Sequence, residues 1–178
     1  MATREIDERS NATAGPDPGC SAAFVEQHAR IDALMAQHQE ALVRLDLPEA
    51  RRLYAAFRTA LHEHMETEER DLLPAYDRLG RWEAAGAPDL MRAEHRQTRL
   101  LVDQIAAELL EIDARDGLTP ARVIRFIEDE RRLKGVMEHH HCRDERYLYP
   151  CAGGCRGGAG VSAGRDAGPT VRRLSHAL

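Results

Sequence analysis

The chain has 178 residues, of which 43% are apolar, 31% charged and 4% aromatic, with a formal net charge of -5. That length fits one domain of ordinary size with tails. No apolar run approaches the roughly 20 residues of a membrane span, the opening MATREIDERSNATAGPDPG has no apolar signal stretch, and no basic stripe offers itself to nucleic acid, so a cytoplasmic protein without membrane or nucleic-acid partners is expected.

Residues 1–20 are polar and broken by Pro16 and Pro18, and are expected to be disordered. Four periodic segments follow. The first runs from Ser21, read as an N-cap, to about Leu45. The second runs from Pro48 to about Leu79 and loosens after Pro74. The third spans Pro88 to about Arg115, with Gly117 marking its end, and the fourth opens on Thr119-Pro120 and stops at Pro150. Residues 151–178 carry seven of the thirteen glycines and almost nothing to bury, so they too are expected to be disordered. The expected organisation is an N-terminal segment 1–20, a helical domain 21–150 and a Gly-rich tail 151–178.

The four cysteines do not make a disulfide framework. Cys151 and Cys155 with His176 could be read as a zinc site, but AGGCRGGAG offers it neither turn nor core.

Apolar positions in the segments step by four and three. Phe24, His28, Ile31, Met35, His38, Leu42 and Leu45 do so in the first, and Phe57, Leu61, His64, Glu68 and Leu72 nearly do in the second. Met91, His95, Thr98, Val102, Ile105, Leu109 and Ile112 repeat the pattern, as do Phe126, Glu130, Leu133, Met137, His140, Asp144 and Tyr147. Such a stripe is the inward seam of a bundle, and short connections make neighbours antiparallel. The fold expected is an all-α, up-down-up-down four-helix bundle, its one structural rival being a longer helical hairpin that dimerises.

That seam holds residues foreign to an oily core. Buried charges are paired or bound to metal, so the pattern asks for a cation. Levels follow from distances to shared turns. His64 lies 17 residues past the turn at Leu47, which matches His28 but not His38. His95 and His140 lie 22 and 23 residues from Gly117, and Glu68 and His95 lie 14 and 13 from Trp82. One layer therefore gathers His28, His64, Glu68, His95, His140 and Asp144. The second and fourth segments also repeat each other: HMETEERDLLP from His64 and HHCRDERYLYP from His140 share His, acids at +4 and +5, Leu at +8 and Pro at +10.

With EQHARID around His28 and AEHRQTR around His95, these motifs resemble the hemerythrin-like, or HHE, domain family over about residues 21–150. The resemblance implies a non-haem di-iron centre of two iron ions, with bridging carboxylates, terminal histidines and room for an oxo or hydroxo bridge. Such donors also suit manganese or zinc. Oxygen-carrying members have a further histidine four residues after the third-helix one, where this chain has Arg99. The vacated position is left open or filled by water or a tyrosine, Tyr147 and Tyr54 being nearest by seam. Those members also take their last acid at +5, here Glu145, whereas helical phase favours Asp144. Both remain candidates.

His38 lies on the seam but at another level and reads as a hydrogen-bonded core or near-surface histidine, while His62, His139 and His141 read as surface. The resemblance implies a protein that binds or reduces O2, peroxide or nitric oxide with an electron donor of unknown identity, in stress protection or sensing. Reversible oxygen carriage is disfavoured by Arg99. A non-catalytic, iron-responsive interaction module using the tail is the alternative. A ferritin-type oxidase is disfavoured, because that fold uses Glu-x-x-His.

Overall fold

A computed structural model describes residues 18–112 and 117–154, with side chains over 21–112 and 117–151. Five α-helices are present among them: α1 (Pro18–Val43), α2 (Leu47–Thr67), α3 (Leu73–Asp77), α4 (Pro88–Glu111) and α5 (Pro120–Arg143). α1 packs on α2 and α4 on α5, while contacts of α2 with α4 and α1 with α5 close the ring. The four long helices are the expected bundle, and α3 continues α2. Among the described residues no strand occurs, and no helix is long and apolar enough to cross a membrane.

The helix ends follow local chemistry. At the end of α1, Leu45 N–H donates to Leu42 O and Asp46 N–H to Ala41 O. This is a Schellman motif, and it puts Leu45 in the left-handed region at φ 58°. Asp46 then caps α2 by accepting from the Glu49 amide at 3.1 Å. Thr119 caps α5 through the Arg122 amide, and Pro120 opens that helix as expected. Ser21 is not a cap. α1 begins at Pro18, and the Ser21 hydroxyl donates to Tyr149 O at 3.0 Å. α4 ends at Glu111, four residues earlier than expected, and Gly117 adopts φ 63°.

The two repeated motifs each form a π-helical turn, at Glu68–Leu72 and Asp144–Leu148. Leu73 N–H donates to Glu68 O and Tyr149 N–H to Asp144 O, five residues back in each case. The prolines account for both. Pro74 and Pro150 have no N–H, and in a regular helix their rings would press on the carbonyls of Arg70 and Arg146. Widening the turn relieves that clash. It also inserts one residue into the helical phase beyond each acid.

The seam is buried nearly as read, from Phe24 to Leu42 in α1 and from Met91 in α4 to Ile112 just past its end. Its apolar residues form two clusters. The larger contains Ile31, Met35, Phe57, Leu61, Met65, Leu133 and Met137. The smaller contains Phe24, Leu72, Leu73, Tyr76, Met91, Leu148 and Tyr149. His28, His95, His140, Glu68 and Asp144 lie between the two clusters along the chain, while His64 sits between Leu61 and Met65 at the edge of the larger one. The helical boundary runs slightly past residues 21–150, from Pro18 to a 3-10 turn at Tyr149–Gly154. The rest of the two expected disordered segments, with Cys155 and His176, lies outside the described residues.

Candidate metal centre

α1 contributes His28, α2 His64, the following π-turn Glu68, α4 His95, α5 His140 and the second π-turn Asp144. All six are buried, none more than 4% exposed. His28 Nε2 lies 3.1 Å from His64 Nε2, and His95 Nε2 lies 2.8 Å from His140 Nε2. Glu68 sits between the pairs. Its Oε1 is 3.3 Å from His64 Nε2, and its Oε2 is 3.2 Å from His95 Nε2 and 3.6 Å from His140 Nε2. Asp144 Oδ2 is 3.1 Å from His140 Nε2. Two close groups result, His28–His64–Glu68–Asp144 and Glu68–His95–His140, with Glu68 common to both.

Outer contacts turn each ring. Gln27 Oε1 meets His64 Nδ1 at 3.0 Å, Glu145 Oε1 meets His28 Nδ1 at 3.2 Å, and Glu69 Oε1 meets His95 Nδ1 at 2.8 Å. An acceptor at Nδ1 fixes the proton there and leaves the Nε2 lone pair facing inward. Glu69 is itself held by Arg99 at 2.9 Å. Glu94, paired with Arg143, approaches His140 Nδ1 at 3.5 Å.

Protonation follows burial and charge. Burial lowers His28 and takes His64 down to about 4, so both rings stay neutral. For His140 burial works the same way, but the carboxylates of Glu68, Glu94 and Asp144 overcome it and raise the ring to about 10. Burial and the Glu68 charge push Asp144 well above its ordinary value. Burial opposes ionisation of Glu68 too, yet the His140 and His95 rings beside its carboxylate hold it well below its usual range.

The set fits a metal. Two donors about 2.1 Å from one ion at right angles stand about 3 Å apart, the separation of both Nε2 pairs. Both oxygens of Asp144 and Oε2 of Glu68 are buried without a hydrogen-bond partner, a costly state for carboxylates unless a cation meets them. A family model for the hemerythrin HHE cation-binding domain matches residues 21–130.

The chain belongs to the hemerythrin HHE cation-binding family. The match carries His28, His64, Glu68 and His95 and stops short of His140 and Asp144, which geometry brings to the same layer. Neither a curated protein nor a solved structure matches the chain. Metal binding by this hemerythrin domain thus rests on the family and on the buried His and carboxylate groups.

Glu145 lies outside the layer, its side chain 47% exposed and directed to His28 Nδ1, whereas Asp144 lies within it. His38 stands elsewhere, as its level required, with Nδ1 on Ala50 O at 2.8 Å and Nε2 on Glu130 Oε1 at 2.7 Å. Neither proposed tyrosine reaches the site: Tyr54 donates to Val102 O, and Tyr147 to the exposed Glu83. Tyr149 does, donating to Glu68 Oε1 at 2.6 Å and lying 2.8 Å from His28 Nε2. The residue inserted by the π-turn moves the inward phase past Tyr147. His62 is half-buried rather than solvated. His141 is 7% exposed rather than at the surface, and its ring stacks on His28 with centroids 3.6 Å apart.

Proposed function

We propose that the protein carries a non-haem di-iron centre that binds or reduces O2, peroxide or nitric oxide, in stress protection or sensing, with an electron donor of unknown identity. The carrying observation is the pair of Nε2–Nε2 contacts, 3.1 and 2.8 Å, flanking one shared buried carboxylate. Such an arrangement suits two ions rather than one. Two ferrous ions would supply reducing electrons and exchangeable coordination positions, since these imidazoles and carboxylates are fewer than two octahedral ions accept.

The chain's own residues perform the rest. His28, His64, His95 and His140 present lone pairs from four different helices, and Glu68 and Asp144 offset the positive charge. Tyr149 keeps its proton, because burial and the neighbouring Glu68 raise the phenol far above its ordinary range. Its one O–H holds Glu68 Oε1 in place and would have to turn from it to donate to an oxygen or nitrogen ligand. Arg99 stands where oxygen carriers place another imidazole. Its guanidinium cannot ligate, and it anchors Glu69 instead.

The test is anaerobic purification with metal analysis, then stopped-flow absorbance of the Fe(II)-loaded protein against O2, peroxide and nitric oxide. Rapid reaction with at least one, and with O2 an end state that is ferric and not reversible on removing O2, is expected. Reversible O2 binding would restore oxygen storage, and inertness to all three would favour the interaction module.

A further inference from the structure

We propose that His141 is an additional imidazole ligand of the metal centre, joining His28 and His64 at one metal position and leaving His95 and His140 at the other. This rests on the di-metal reading above. The ligand atoms of His28, His64 and His141 lie within 4.8 Å of one another, and all three residues are buried. The His141 ring lies nearly parallel to His28, 10° between planes at 3.6 Å, and edge-on to His64 at 6.1 Å.

Its Nε2 is buried and has no hydrogen-bond partner. A buried imidazole nitrogen without a partner is costly, and a cation is the natural recipient of its lone pair.

His141 enters from α5, one residue past His140. Adjacent helical residues point about 100° apart, so His140 turns toward α4 while His141 turns toward α1. One helix thereby serves both metal positions. The imidazole that oxygen carriers add beside the third-helix histidine is Arg99 here, and His141 supplies one on the opposite side. The position held by His95 and His140 is then the poorer in nitrogen donors and the one with room for an exogenous ligand.

The test uses the full chain loaded anaerobically with 57Fe(II). In wild type, Mössbauer spectra should show two inequivalent iron sites. His141→Ala should shift one doublet and leave the other, and should weaken binding of one Fe(II) by at least the roughly 10–100-fold that loss of an outer-shell partner costs. His139→Ala, an exposed neighbour, should change neither. Should His141→Ala fail to fold, NMR of wild type labelled with ring-15N histidine and loaded with Co(II) decides: paramagnetic shifts at His28, His64, His95, His140 and His141 support the assignment, and shifts at the first four alone overturn it. Wild-type spectra and Fe(II) affinity retained in a folded His141→Ala also overturn it, with the di-metal reading intact. Failure of wild type to bind iron overturns both.

Discussion

His38 and His64 are both buried imidazoles, on neighbouring helices, and their partners separate them. His38 is saturated by the Ala50 carbonyl and by Glu130, whose other oxygen accepts from Gln39 at 2.9 Å. Both members of the His38–Glu130 pair are fully buried. Removing one partner of such a pair costs roughly 3–5 kcal/mol. His38→Ala should therefore lower the urea midpoint strongly while the folded fraction keeps its metal, and His64→Ala should remove most of the metal. Equal metal loss in both variants would contradict the assignment of levels. The proton inventory gives a second test. In the metal-free protein His140 is raised to about 10, so it carries a proton at pH 7 that metal must displace, and Asp144 is shifted the same way by burial and the Glu68 charge. Fe(II) binding at pH 7 should release at least one proton to a dye in weak buffer, and affinity should rise with pH toward 10. No release would contradict this protonation pattern. These residues were legible in the sequence as a layer, because equal distances from turns fix levels. His141 was not, because a strict four-three seam is narrower than the stripe of about 100° that a bundle helix buries. The run His139-His140-His141 was the available signal.

Between residue and bundle, the π-turns decide which acid and which aromatic face inward. Glu68 and Asp144 each begin a π-turn, with Glu69 and Glu145 next on the outer side. Regular phase placed Tyr147 on the seam, whereas the inserted residue brings Tyr149. Proline at +10 of each motif was visible in the sequence, but its effect on the helical phase four residues upstream was not readable from periodicity alone. Leu45 makes the opposite case. Its left-handed φ of 58° at the end of α1 is a position that favours glycine, and its side chain is 45% exposed. Leu45→Gly should stabilise the protein by up to about 1 kcal/mol, seen as a higher urea midpoint with an unchanged slope. A lower midpoint would mean that Leu45 contacts outweigh the backbone strain.

At the largest scale, the described residues form a four-helix bundle whose two apolar clusters hold a polar layer between them. That architecture was legible because seam periodicity, the cap at Thr119 and turns near Leu47 and Gly117 all agree. Its boundaries were less so: α1 starts at Pro18, before the polar run ends, and the helical chain extends past Pro150 to Gly154. The central claim is that this layer holds two ions. Its most direct test is the iron content of the full chain after anaerobic loading with Fe(II) and removal of free metal. Two irons per chain are predicted, and one or none would contradict the di-metal centre.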